Sequence, residues 1–191
     1  MNAPARILTM PERLRLRVED FVLLADSGAF DAYAKSELID GEVYVMNAQW
    51  SRHARVKSRL ARELGNVLEA IGGELEALIE VSVRASDHDM PEPDIALTSW
   101  RGDRDVPVAT VALVVEVADT TLEGDLGRKL RLYAAAGVPE YWVVDVNDGR
   151  ILVHHQPGAE SYGSRRAVAF GERLVAVTVA GLAIDTGVLA L

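Results

Sequence analysis

The chain has 191 residues, 49% of them hydrophobic and 26% charged, and a formal net charge of −9 at pH 7. It has no cysteine, which excludes disulfides, thiolate metal sites and cysteine nucleophiles, and it has no apolar run long enough to cross a membrane. The negative charge argues against a protein that coats nucleic acid through many phosphate contacts. We therefore expect one soluble, cytoplasmic domain over residues 1–191, with residues 1–10 disordered.

The N-terminal part of the chain predicts a helix followed by a hairpin. Apolar residues at helical spacing predict a helix over residues 11–27, which Gly28 ends. The dipeptide Asp40-Gly41 suits the positive φ angles of a two-residue turn. Apolar residues on both sides of it, at 37–39 and 43–45, predict the two strands of a β-hairpin.

A long amphipathic helix is predicted from Ser51 to about Ile71, where two glycines end it. Its first turns are basic and contain Arg52, Arg55, Arg59 and the histidine His53. Such a basic face is more often solvated than bound to a partner. Contact between these arginines and the DNA backbone is the functional alternative.

The C-terminal two thirds of the chain alternate between strand and helix patterns. Strands are predicted at 76–84, 94–97, 111–118, 141–146 and 151–155, and a helix at about 123–136. A helix between two strands favours a βαβ crossover, and the hairpins favour antiparallel pairing. Together they predict an α/β (α+β) domain with a mixed sheet flanked by helices.

Two carboxylates lie in these strand patterns. Glu116 alternates with small apolar residues in Thr110–Ala118, so it points towards an apolar face, and Asp94 follows Pro93 at the start of another strand. An unpaired buried carboxylate costs several kcal/mol, so each acid needs a cation or a proton. Two carboxylates, a backbone carbonyl and waters are oxygen ligands that suit Mg²⁺, whereas the histidines are scattered and predict no zinc site.

Short blocks along the chain form a longer pattern. They are Glu37-Leu38-Ile39-Asp40-Gly41-Glu42, His53, Pro93-Asp94, Leu113-Val114-Val115-Glu116-Val117, then Asp125, Lys129 and Tyr133, and Gly137-Val138-Pro139-Glu140-Tyr141-Trp142-Val143-Val144-Asp145. This pattern resembles the Uma-two family of restriction endonucleases, within the PD-(D/E)XK superfamily. The resemblance implies a restriction-endonuclease-like core, with a mixed sheet between helices and an N-terminal helix and hairpin.

The resemblance also implies a function, that of a Mg²⁺-dependent DNA endonuclease, with Mn²⁺ as a substitute, in which activated water attacks a phosphodiester. Asp94 and Glu116 match the two metal-binding acids, and the carbonyl of Val117 would complete the shell. The parent motif has a lysine two residues after the second acid, where this chain has Ala118. Lys129, on the following helix, takes the place of that catalytic lysine. The superfamily further implies a homodimer.

Auxiliary roles and alternatives complete the prediction. Glu37, His53 and Asp125 are auxiliary candidates, and Arg52, Arg55 and Arg59 are candidates for contact with the DNA backbone. The structural alternatives are an ion pair of Glu116 with Lys129 or an arginine, a turn role for Asp94, and a solvated pair of Asp125 with Lys129. The functional alternative is a catalytically weak or inactive accessory protein that binds nucleic acid, as the vacant lysine position at Ala118 would suggest. RNA or non-duplex DNA is a further possible substrate.

Overall fold

The protein is described by a computed structural model that covers residues 10–190. The strands are β1 (Lys35–Ile39), β2 (Glu42–Met46), β3 (Glu76–Ile79), β4 (Val83–Arg84), β5 (Ile95–Thr98), β6 (Val106–Pro107), β7 (Val111–Ala118), β8 (Glu140–Asp145), β9 (Arg150–Pro157), β10 (Tyr162–Ala169), β11 (Arg173–Val175) and β12 (Ala183–Asp185). The helices are α1 (Val18–Asp26), α2 (Ser51–Ile71), α3 (Leu122–Gly124) and α4 (Leu130–Ala135). A π-helical turn, Asp125–Lys129, joins α3 to α4.

The central sheet has the strand order β10-β9-β8-β7-β5-β3. Strands β7 and β8 are parallel, and the other neighbours in this sheet are antiparallel. The helical segment from α3 to α4 connects β7 to β8, which confirms the predicted βαβ crossover and the mixed sheet. The predicted α/β class is therefore correct.

Each face of the central sheet carries its own apolar core. Helix α2 packs on one face through Val56, Leu60 and Leu64, and the C-terminal segment adds Leu174 and Leu182 to the same core. The α3–α4 segment covers the other face, where Tyr133 contributes to a second core. Complete burial of an aliphatic side chain such as Leu60 contributes about 1.5–3 kcal/mol to folding.

The β1–β2 hairpin confirms the prediction made from Asp40-Gly41. Asp40 and Gly41 have φ angles of 54° and 73°, as a two-residue hairpin turn requires. Leu38 of this hairpin packs with Val18 and Phe21 of α1 in a third apolar cluster. These contacts pack α1 against the hairpin.

Two predicted elements were wrong in their extent. The N-terminal helix begins at Val18 instead of residue 11, because the backbone before it bonds to the hairpin: the N–H of Leu16 donates to the carbonyl of Gly41 at 3.0 Å. The predicted strand 76–84 divides into β3 and β4, which lie in different sheets. Glu80 interrupts it with a φ angle of 53°. The disorder predicted for residues 1–10 lies outside the described residues except at Met10.

The run Gly137–Asp145, part of the pattern that resembles the family, has a structural role at Glu140. One carboxylate oxygen of Glu140 accepts the indole N–H of Trp142 at 2.7 Å. The other accepts the N–H groups of Val177 and Thr178, each at 2.8 Å, and the Thr178 hydroxyl at 2.9 Å. These bonds attach the C-terminal segment to β8.

In residues 10–190 no helix has the length and apolar character needed to span a membrane.

His154 supplies a pH-dependent term to stability. It is buried between Tyr141 and Tyr162, and its Nε2 has no hydrogen-bond partner among the described residues. Burial, together with the charge of Arg165, lowers the pKa of His154 to about 4. The unfolded chain binds a proton at its ordinary pKa of about 6.5, so protonation favours unfolding as the pH falls from about 6.5 to about 4.

We expect His154→Phe to weaken this loss of stability by up to about 2 kcal/mol across that range, measured by urea unfolding at several pH values. The matched variant His155→Phe changes the next residue of β9 and should retain the wild-type pH dependence. Identical pH profiles for wild type and His154→Phe would contradict the assignment.

Candidate active site

Asp94 and Glu116 approach each other because of the antiparallel register of β5 and β7. Ile95 pairs with Val115, so one further step along both chains places Asp94 opposite Glu116. Residues opposite each other in an antiparallel pair project from the same face of the sheet. The N–H of Val117 donates to Oδ2 of Asp94 at 2.7 Å, which fixes the acid beside the end of β7. Both predicted acids thus share the face that the α3–α4 segment covers.

Glu116 is held by two groups from that segment. Lys129 Nζ and the Tyr133 hydroxyl donate to Oε1 of Glu116, at 3.0 and 2.9 Å. Burial raises the pKa of Glu116, and the negative charges of Asp125 and Asp94 act in the same direction. The carboxylate therefore depends on the cation beside it.

Lys129 also reaches Glu37 of the hairpin. Its Nζ lies 3.1 Å from Oε2 of Glu37, so it joins the acid of β1 to the acid of β7. Burial alone would lower the pKa of Lys129, but the charges of Glu116, Glu37 and Asp125 raise it above the usual range. The lysine is therefore a buried cation and not a proton acceptor at neutral pH. The predicted alternative of a solvated Asp125–Lys129 pair does not describe these buried groups.

The π-helical turn places Lys129 and Asp125 on the same site. Such turns are rare and occur often at functional sites. Asp125 is buried, its carboxylate accepts the Thr121 hydroxyl at 2.6 Å, and burial raises its pKa. The carbonyl of Asp125 accepts the Tyr141 hydroxyl at 3.1 Å, so β8 supports the turn from below.

Asp94 is held by the first turn of α2 and by the segment just before this helix. His53 Nε2 and Gln49 Nε2 each lie 3.2 Å from Oδ1 of Asp94. Burial would raise the pKa of Asp94, but the hydrogen bond and charge of His53, with the charge of Lys35, hold that pKa well below its usual range. Asp94 is therefore a charged acceptor, which differs from the turn role that is its structural alternative.

Lys57 is a second lysine of the site besides Lys129, and the sequence did not indicate its contact with Asp94. Its Nζ is 3.5 Å from Oδ1 of Asp94 and donates to Oε1 of Gln49 at 2.7 Å. It also forms an ion pair with Glu80, the residue that interrupts the predicted strand. The available signal was its position four residues after His53, on the apolar side of α2. Tyr133, which the sequence offered only as part of the family pattern, lies four residues after Lys129 on the same side of the α3–α4 segment.

These groups line one cavity of about 580 Å³. Its wall includes all the lysines of the chain, namely Lys35, Lys57 and Lys129, together with the acids Asp94, Glu116 and Asp125. Val117 and His53 line it as well, whereas Glu37 contacts it through Lys129. The predicted catalytic, metal-binding and auxiliary residues thus lie at one cavity, whereas the three predicted arginines are not part of its wall.

Two of the three candidate arginines on the basic face of α2 bond to other groups of the protein. Arg52 donates to Asp119, Asn147 and the carbonyl of Val146, at 2.6–3.3 Å. Arg59 donates to the carbonyls of Val188 and Ala190. Arg55 is exposed and makes no ion pair within residues 10–190. Of the three candidates for contact with DNA, Arg55 is the one whose side chain is available as the structure stands.

The carboxylates of the cavity can be compared with the ligands that the implied Mg²⁺ requires. Within residues 10–190 no group of three or more histidine, aspartate or glutamate side chains is arranged to hold a metal ion. Mg²⁺ is commonly held by one or two carboxylates, with waters and substrate phosphate in its other positions. Asp94 and Glu116, opposite each other on a cavity wall, supply two such carboxylates. The residues present fit this mode of binding and do not fit a closed metal site formed by protein alone.

A protein family and a solved structure are similar to this chain. The model of the family described as "Uma2: Putative restriction endonuclease" matches residues 18–187. The fold is similar to that of a structure described as "a putative nuclease belonging to DUF820 from Anabaena variabilis ATCC 29413", with a TM-score of 0.66. The two sequences are 16% identical, and the match covers 91% of this chain and 97% of the other. None of the curated proteins compared with the chain matches it.

Proposed function

The chain belongs to the Uma2 family, described as "Putative restriction endonuclease", and on that premise we propose that it is a Mg²⁺-dependent DNA endonuclease, with Mn²⁺ as a substitute. The observation that carries the proposal is the meeting of Asp94, Glu116 and Lys129 in one cavity. A bound divalent cation would lower the pKa of an attacking water and neutralise charge on the phosphoryl group. Asp94 and Glu116 would hold the cation, with the carbonyl of Val117 as a third ligand.

The other side chains of the cavity orient these ligands and stabilise charge. Lys129, protonated between Glu116 and Glu37, stabilises negative charge that develops on the phosphate in the transition state. His53 and the Val117 N–H hold Asp94 charged and fix its direction. The Tyr133 hydroxyl donates to Oε1 of Glu116 and fixes the direction of that side chain. Asp125 adds a carboxylate that keeps Lys129 protonated.

The proposal includes a homodimer. The resemblance to restriction endonucleases implies this assembly. Two copies related by a two-fold axis would present two cavities to one nucleic-acid substrate.

The proposal predicts nucleic-acid hydrolysis that depends on a divalent cation. Supercoiled plasmid and single-stranded circular DNA are incubated with the protein and Mg²⁺, Mn²⁺ or EDTA. We expect cleavage with either metal, none with EDTA, and a loss of at least about 10²-fold for Glu116→Gln, since one metal-binding carboxylate contributes several kcal/mol to the transition state.

The outcomes separate the proposal from its rival. Equal cleavage by wild type and Glu116→Gln would show that the activity belongs to a contaminant or to another site. No cleavage of either DNA, with retained DNA binding, would favour the accessory protein that lacks catalysis.

A further inference from the structure

Trp50 is an exposed tryptophan at the rim of the cavity. It precedes the first turn of α2, lines the cavity and is 78% exposed. Tryptophan is highly buried in most proteins, and Trp142 of this chain is completely buried. The indole N–H of Trp50 makes no hydrogen bond within residues 10–190. Neither packing nor hydrogen bonding to the described part of the chain explains why a tryptophan stands at position 50.

The charge distribution makes electrostatic binding of a duplex weak. The net charge is −9, and Arg52 and Arg59 are used in bonds within the protein. The lysines of the cavity are also paired, Lys57 with Glu80 and Lys129 with Glu37 and Glu116. A duplex-binding protein draws much of its affinity from phosphate contacts by free cations. Binding here requires another source of affinity.

The depth of the site favours a strand that can enter it. Asp94 and Glu116 are only 2% and 3% exposed, so the phosphodiester must reach into the cavity to meet them. The cavity, about 580 Å³, has the size of sites that enclose a single small ligand. Asn47 and Gln49 add amide groups to its wall beside Trp50. A strand with unpaired bases can insert a nucleotide into such a site, whereas a stacked base pair must first be opened.

We propose that Trp50 stacks on an unpaired base next to the reacting phosphate, so that the substrate is a nucleic-acid strand with unpaired bases. Proteins that bind single strands without a requirement for sequence combine phosphate contacts with stacking of bases on aromatic side chains, and the stacking contributes about 1–3 kcal/mol per base. The inference rests on the proposed function, because it places the base beside the carboxylates that would hydrolyse the strand. It adds the class of substrate, which neither the fold nor the acids specify.

The test is a binding measurement without divalent metal, so that hydrolysis plays no part in it. Fluorescence anisotropy is recorded with labelled eight-nucleotide oligo(dT), with a hairpin duplex of equal charge, and with an abasic deoxyribose-phosphate strand of the same length. We expect Trp50→Ala to weaken binding of oligo(dT) about 10- to 100-fold and Trp50→Phe to weaken it less, since phenylalanine keeps part of the stacking surface. The effect should persist at 0.5 M salt, where phosphate contacts are weak.

Controls establish that the effect is stacking. Leu23→Ala removes another exposed apolar side chain, 71% exposed on α1 and absent from the cavity wall, and should bind as wild type does. The abasic strand should bind wild type and Trp50→Ala equally, because it offers phosphates without bases. Intrinsic fluorescence should be quenched by oligo(dT) in wild type and not in Trp50→Phe, which retains Trp100 and Trp142.

Three results would overturn the inference. They are equal affinity of wild type and Trp50→Ala for oligo(dT), a wild-type preference for the duplex, and a dimer in sedimentation that becomes a monomer in Trp50→Ala. The last result would assign Trp50 to an interface between two copies of the chain. Failure of the proposed function would appear separately, as the absence of metal-dependent cleavage by the wild type.

Discussion

Lys129→Met is expected to reduce stability more than the other substitutions considered, and to reduce DNA cleavage by about 10²-fold or more. The lysine lies 3.0 Å from Glu116 and 3.1 Å from Glu37, and all these side chains are buried. Removing one partner of a buried ion pair costs about 3–5 kcal/mol, because it leaves an uncompensated buried charge. Urea unfolding without divalent metal measures the cost in stability, and the plasmid assay measures the cleavage.

A double variant separates the structural role of Lys129 from its catalytic role. In Glu37→Gln/Lys129→Met one of the two carboxylates is neutral and Glu116 stays uncompensated, so we expect part of the lost stability to return. Cleavage should stay low, because the cation that stabilises the phosphate is still absent. Cleavage that returned with stability would show that Lys129 is only a structural residue. Arg131→Met, which removes an exposed cation from α4, is the matched control and should leave both properties near wild type.

Asp94→Asn is expected to reduce cleavage by about 10³-fold or more, with a smaller effect on stability. Asparagine keeps the shape of the side chain but removes the charge that would bind the metal, and about 4 kcal/mol of transition-state stabilisation corresponds to this factor. The stability term arises because Asp94 accepts bonds from Val117, His53 and Gln49 as a charged group. Loss of such charge-assisted bonds costs about 1.5–3 kcal/mol.

The first measurement for Asp94→Asn is the cleavage rate at saturating Mg²⁺. The second is a titration with Mn²⁺, which should bind more weakly to the variant than to the wild type. Asp145→Asn is the matched control. Asp145 is also buried and paired, with Arg150 at 3.2 Å, but it does not line the cavity. It should lose stability and keep its cleavage rate per folded molecule. An Asp94→Asn protein that cleaves at the wild-type rate would remove Asp94 from the mechanism.

Local patterns were sufficient for several elements of the fold and for part of the site. The turn of the first hairpin follows from Asp40-Gly41, since this dipeptide adopts positive φ angles. Period-2 alternation placed Glu116 on the same face of β7 as Val114 and Ala118, and the structure shows that the α3–α4 segment covers this face. The spacing of strand, helix and strand predicted the parallel pair β7–β8, because a crossover of that length favours one arrangement.

Other predictions depended on contacts that sequence spacing does not reveal. The start of α1 was misplaced because Arg15 and Leu16 bond to the hairpin turn 25 residues later, and no local signal competes with the apolar spacing. The strand 76–84 was predicted as one piece because its propensity is continuous. Only the positive φ of Glu80 and the separate pairing of β4 with β6 divide it.

The sequence by itself determined which acids are candidates, since a carboxylate in an apolar strand requires compensation wherever it lies. The tertiary structure decided what compensates each acid. Lys57, Gln49 and His53 meet Asp94 across 37–45 residues of chain, and Glu37 meets Lys129 across 92. It also decided that Arg52 and Arg59 bond within the protein while Trp50 stays exposed. These outcomes depend on which distant elements pack together, and the periodicity of one element carries no information about its distant partners.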